Sequence, residues 1–208
     1  CTPVQALGIS KNRTMLHTLV EGLFGFGGFY GFLTYVTRTV ETITKMSPSV
    51  MPIIMMLIGI GGLVGTFLAG HLSDRLPEGA FPIVMGCFVA ILAFSPLMVK
   101  KPVTLFIEVF LVGVFRSVAF SASMQVRLIK HAGDAQNLAS SMNHVSLCLA
   151  NIIGSFVSAQ AVQHHLGGDY MYIITAVLGA AVSSVALVFL LVAVYFVKSV
   201  KDKPAEQA

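Results

Sequence analysis

Apolar residues in this chain come in unbroken blocks rather than in stripes. Four blocks hold no Asp, Glu, Lys or Arg: 51–72, 81–98, 138–162 and 171–197. Two more, 15–36 and 103–123, carry one and two charges. A helix on the surface of a soluble bundle is amphipathic, and these blocks are apolar all round. At about 1.5 Å per residue each suits a bilayer core of roughly 30 Å. The pattern predicts an all-α membrane protein of six transmembrane helices. A signal peptide does not explain the first block, because five follow it. Residues 1–14 read as the end of a cytoplasmic linker, 15–197 as a six-helix half-domain, and 198–208 as a polar cytoplasmic tail.

Polar punctuation refines the boundaries. Ser47-Pro48 reads as a helix cap followed by a proline at the first helical position, opening the second span. Pro82 and Pro102 stand at the starts of the third and fourth. The short Lys100-Lys101 link makes those two spans hairpin partners. Three spans followed by three suit two inverted repeats, although no clear internal identity accompanies them. Six spans put both termini on one side. Lys11, Arg13, Arg75, Arg127, Lys130, Lys198, Lys201 and Lys203 share that side; Arg38, Lys45, Lys100 and Lys101 lie on the other. The positive-inside rule therefore places both termini in the cytoplasm.

Composition changes this picture little. The 208 residues are 56% hydrophobic and 11% charged, against about 25% charged in soluble domains, and mean hydropathy is +0.85. The net charge of +4 is scattered, without the aromatic-interleaved patch of a nucleic-acid binder. Cys1, Cys87 and Cys148 are too few and too widely spaced for a disulfide framework or metal motif. His164-His165 in an outer loop reads as a chance pair. No cofactor and no metal is expected. The chain begins at Cys1 rather than Met, and is expected to be a fragment.

Charges inside spans are costly and default to function. Glu21 lies about 9 Å in from the inner end of span one. Arg116 lies about 20 Å down from the outer end of span four, hence about 10 Å from the inside. The two are expected to be level and to pair, against the blander reading of each as a structural anchor. Glu108, about 12 Å above Arg116 and roughly 80° around the helix, is expected to snorkel to the outer surface. The fifth span is the most polar of the charge-free ones. Ser140, Asn143, His144 and Asn151 are expected to share a side facing a wet cavity or another protein surface, the plainer reading being interhelical hydrogen bonding. His144 sits in the range where protonation changes near neutral pH. Small residues recur every fourth position: Gly27 and Gly31; Gly61, Gly65 and Ala69; Ser146, Ala150, Gly154 and Ser158. Such stripes let backbones approach closely.

Three stretches together carry a family resemblance. Residues 28–36 are a glycine-aromatic run that includes Tyr30. A glycine-rich helix then exits through Gly70-His71-Leu72-Ser73-Asp74-Arg75. Last come Met124-Gln125-Val126-Arg127, the Asn137–Asn143 stretch and Asn151-Ile152-Ile153-Gly154. The set resembles the major facilitator superfamily, closest to its arabinose-efflux-like and drug:proton antiporter permeases. It covers nearly the whole chain as the carboxyl-terminal half of a twelve-helix transporter. The loop signature G-x-x-x-D-R is present, but Leu76-Pro77-Glu78-Gly79 lacks the further basic residues that often follow it.

The resemblance implies efflux of a small solute by alternating access, coupled to protons, in the bacterial inner membrane. It implies an amino-terminal half as partner, absent here, and a lipid bilayer around both. Spans one and four would line the cavity, with Glu21, Tyr30, Arg116, Asn143, His144 and Asn151 as substrate or coupling candidates. Spans two and five, which hold small-residue stripes that also suit ordinary helix packing, would face the sister half and rock against it. Gly70, Asp74 and Arg75 would form a gating loop, Asp74 meeting a helix N-terminus of the sister half. Phe24, Phe26, Phe29 and Tyr30 lean toward a lipophilic drug, whereas a polar cavity would suit a sugar. The competing readings are a non-transporting six-helix scaffold, a membrane enzyme and a channel. No span holds an Asp for a catalytic set, and no filter-like loop is present.

Overall fold

The computed structural model describes residues 13–75, 81–122, 124, 128, 136–166 and 171–201. Among the described residues six α-helices carry the chain: α1 Arg13–Thr39, α2 Met51–Arg75, α3 Phe81–Met98, α4 Pro102–Arg116, α5 Gln136–Gln163 and α6 Met171–Lys201. There is no strand among the described residues. Among the described residues five helices are long and apolar enough to cross a membrane, and α3 is a shorter apolar helix. The protein is an all-α membrane protein. Residues 1–12 and 202–208, which hold most of the expected linker and tail, lie outside the described residues.

Local chemistry explains several ends. Ser47 Oγ accepts from Ser49 N and caps a 3₁₀ turn, Pro48–Val50, that feeds α2. Pro102 opens α4 at a position where its missing N–H costs nothing. Both cavity-side candidates, α1 and α4, run on into π turns, Val40–Thr44 and Ser117–Ala122. Thr44 Oγ1 then donates to Val99 O at 2.6 Å, tying the carboxyl-terminal end of α1 to the end of α3.

Packing divides the six helices into two interlocked units. Helix α1 lies on α5 and α6, α4 lies on α2 and α3, and α3 meets α6. Exchanging the first three helices with the last three returns those same neighbours, which is what an inverted repeat requires. The α5–α6 contact is the exception, with no counterpart of similar extent between α2 and α3. The exchange even preserves backbone detail. A Cβ on Gly154 would collide with Gly27 O and stand 2.9 Å from Gly31 N; one on Gly61 would collide with Phe110 O and stand 3.2 Å from Val114 N.

The stripes serve helix packing within this chain. Ser146, Ala150, Gly154 and Ser158 are buried in α5, where Gly154 meets α1, and Gly61 and Gly65 are buried against α4. The outward faces of α2 and α5 are instead bulky: Leu63 and Phe67 on one, Ile152 and Phe156 on the other, all more than 60% exposed. Four-residue spacing marks the face of closest approach but not the neighbour that uses it.

Candidate functional site

Helix α1 is the axis of the polar chemistry. Its neighbour α5 is joined to it by Ser146 Oγ donating to Leu19 O at 2.8 Å. One side of α1 carries Tyr30 and Thr34, four residues apart. Thr34 Oγ1 bonds Tyr30 O at 2.7 Å and Ser155 Oγ at 2.9 Å; Ser155 Oγ reaches Asn151 Oδ1 at 3.2 Å. Thr34 and Asn151 are exposed and Tyr30 is half-buried. The structure thus links Asn151 through Ser155 to Thr34, whose hydroxyl also reaches the backbone carbonyl of Tyr30; sequence reasoning passed over Thr34 and Ser155. The signal was present: Tyr30/Thr34 and Asn151/Ser155 are both i,i+4 pairs, the spacing of neighbours on one helix face. Toward the amino-terminal end of α1, Leu19, Leu23, Met142, Val145 and Leu149 line an apolar groove of about 230 Å³ between α1 and α5.

Asn143 and Asn151 do not share a surface. Asn143 is 6% exposed, in line with the buried stripe of α5, and its Oδ1 has no hydrogen-bond partner. His144, the next residue, is exposed. Eight residues on a 100° helix turn through roughly 80°, enough to carry one amide inward and the other out.

Arg116 of α4 approaches α1 at Phe29. Its guanidinium carbon lies 4.6 Å from the centroid of Phe29, a cation–π geometry. The Phe29 and Tyr30 rings meet edge to face at 5.5 Å. Nη2 of Arg116 faces Gly62 of α2, where a Cβ would stand 3.5 Å away. Nε is out of solvent and has no hydrogen-bond partner.

The structure sets the guanidinium of Arg116 on Phe29 rather than level with Glu21. Arg38 and Glu41 form an ion pair at 3.3 Å, outside the bundle interior. Glu21 is buried at 4% and has a polar contact of its own. Phe29, under the guanidinium, lies eight residues past Glu21, so the two charges differ in depth by about 12 Å. Depths measured inward from opposite ends agree only if the helices have one length. Helix α1 with its π turn covers 13–44 and overshoots the assumed 30 Å.

Glu108 departs from expectation too. It is fully buried, not snorkelling, and neither carboxyl oxygen has a hydrogen-bond partner. Ser95 Oγ of α3 is the polar group facing it, short of a formed hydrogen bond. The 80° offset from Arg116 turns Glu108 into the α3–α4 contact, too far from the rim for its short side chain.

The loop reading of Gly70-His71-Leu72-Ser73-Asp74-Arg75 is corrected as well. Helix α2 runs through Arg75, so Gly70, Asp74 and Arg75 lie on its closing turns. A lone glycine costs a helix about 1 kcal/mol, and no stronger breaker intervenes before Pro77. No group of three or more His, Cys, Asp or Glu among the described residues is placed to hold a metal ion.

Comparison with known proteins agrees with this architecture. Residues 18–208 match the family model described as Major Facilitator Superfamily. Inner membrane transport protein YdhP of Escherichia coli (strain K12) is 25% identical over 181 residues, covering 87% of this chain and 45% of that protein. Putative transporter AraJ of Escherichia coli (strain K12) is 27% identical over 150 residues, covering 70% of this chain and 37% of that protein. The chain therefore spans less than half the length of these relatives. No solved structure matches it significantly.

Proposed function

The chain belongs to the Major Facilitator Superfamily, and we propose that it forms the carboxyl-terminal half of a transporter that exports a small solute by alternating access in exchange for protons. The observation that carries this reading is the exposed apolar surface of α2 and α5, one helix from each unit, beside a polar ladder and a membrane-embedded arginine. Leu63, Phe67, Ile152 and Phe156 supply a face for a sister half, while Tyr30, Thr34, Asn151 and Arg116 supply a cavity wall. Lipid alone would cover the apolar face but leave the exposed ladder without the wet or protein environment that polar groups need.

In this reading both termini are cytoplasmic, the membrane is a bacterial inner membrane, and the protein is not an enzyme. Asp74, on the last turn of α2, gates the cytoplasmic side by meeting the positive end of a sister-half helix. Glu21, buried in α1, and His144 are the titratable candidates for coupling.

The test is flux in proteoliposomes holding the full-length protein. An imposed pH gradient drives solute counterflow if the reading is right, and Asp74→Asn reduces the rate while leaving insertion intact. A full-length protein that binds solute yet moves none under any gradient contradicts it and favours a scaffold.

A further inference from the structure

Among the described residues, the group set against Arg116 is the ring of Phe29. A carboxylate would both hold the cation and neutralise it. Glu21 is about 12 Å away in depth, and Glu108 is turned into the α3–α4 contact. Phe29 takes the carboxylate's place and behaves differently. A ring face fixes the orientation of a planar guanidinium through its quadrupole, but it accepts no hydrogen bond and removes no charge. The cation keeps its full charge and its donors. Its Nε is closed off by protein, whereas Gly62 withholds a side chain from the neighbourhood of Nη2. The result is a half-buried guanidinium pinned on one face, at the level of Tyr30.

We infer that Arg116, oriented on Phe29 and flanked by Tyr30 and Gly62, is the anion-binding site of the transported solute, and that this solute is an organic monoanion, a carboxylate with an apolar or aromatic body. The charge of the ligand follows from the charge of the site. Arg38, Lys45, Lys100 and Lys101 lie at the opposite end of α1 and α4 from the cavity floor, so one cation serves this depth among the described residues. A doubly charged phosphate would leave one charge unmatched in a poorly solvated place, while a carboxylate matches both the charge and the planar fork of arginine donors. The body follows from the surroundings. The flanking surface is the half-buried apolar side of Tyr30 and Leu33, which offers rings and methyls rather than the repeated donors a sugar needs.

This inference rests on the transporter reading, so the experiment separates the two. Full-length protein in detergent is titrated with matched pairs of carboxylate and neutral amide: 4-phenylbutyrate with 4-phenylbutyramide, and decanoate with decanamide. Binding is followed by thermal shift and by calorimetry. The wild type is expected to bind at least one carboxylate about tenfold or more tightly than its amide. Arg116→Gln should abolish that preference while leaving amide binding unchanged. Arg116→Lys, which keeps the charge but loses the fork, should weaken carboxylate binding several-fold. Equal binding within every pair, or a preference that survives in Arg116→Gln, overturns the inference, and the counter-ion then belongs to the sister half. If Arg116→Gln does not fold, wild-type affinity retained in Arg116→Lys overturns it as well. Flux distinguishes the two failures. Transport of neutral or cationic solutes without any carboxylate preference sinks the anion site alone. Carboxylate binding through Arg116 without flux sinks the transporter reading alone.

Discussion

The two interlocked units share a backbone plan but not a polar interior. In the α1–α5–α6 unit the close contacts are sealed by hydroxyls: Ser146 donates to Leu19 O at 2.8 Å and Ser183 Oγ to Gly25 O at 3.3 Å. In the α2–α3–α4 unit the same kind of glycine contact is made, yet Ser95, Glu108 and Arg116 each keep a buried polar atom without a partner. Asn143 is the one such residue on the other side among the described residues. Close packing is therefore conserved between the units and polar satisfaction is not. An unmade hydrogen bond in a buried place costs about 1–3 kcal/mol, so the second unit stores cost where the first has spent its hydroxyls on cohesion. Such groups are available to a ligand or to a moving helix in a way the first unit's are not.

The largest expected effect tests the shared part. Gly154→Val and Gly61→Val each drive a side chain into a facing carbonyl, and overpacking of that kind costs about 3 kcal/mol or more. Both variants should lose most of their folded yield in membranes, as measured by detergent-resistant fluorescence of a fused reporter. A severe loss in one and none in the other would break the equivalence of the units. Next comes the stored cost. Glu108→Leu removes two unpartnered oxygens from a fully buried position and should raise stability by about 1–3 kcal/mol. A lowered melting midpoint would mean that the carboxyl has a binding partner in the folded protein.

In the satisfied unit the same operation has the opposite sign. Ser146→Ala deletes a bond to Leu19 O and should cost about 1 kcal/mol, read as a drop in the melting midpoint. The smallest effect is on stability and the informative readout is access. Cysteine placed at 151 should react with membrane-impermeant maleimide in the assembled transporter, and cysteine at 143 should not. Equal reactivity would return both amides to one surface. Gly59→Ala, whose added methyl meets nothing within 4 Å, serves as the neutral baseline, with at most about 1 kcal/mol gained from helix propensity.

How far the sequence could be read differs by feature. Charge-free blocks announce helices directly, because a bilayer admits a spanning chain only when its backbone bonds are made internally. Arg116 stood out as a functional candidate because an intramembrane charge is rare and costly. Its partner was not, because pairing was inferred from depth, and depth depends on helix lengths that π turns and a helix overrunning the bilayer change by a dozen ångströms. Glu108 was misplaced for a related reason: its register on α4 points inward, and register relative to a neighbour is not written in one helix alone. The close of α2 was read as a loop from a motif, although nothing between Leu72 and Arg75 breaks a helix.

What the sequence by itself determined was therefore the class: six apolar helices, an integral membrane protein, and the faces along which backbones approach most closely. Those properties are local, set by composition and by four-residue spacing within single segments. What only the tertiary structure decided was who meets whom. The α5 stripe turns to α1 and the α2 stripe to α4, Asn143 and Asn151 part, and a phenylalanine rather than a glutamate lies beneath Arg116. Those outcomes depend on the azimuth and axial offset of one helix against another. Offset and azimuth arise from the fit of two surfaces, and neither helix carries that fit alone.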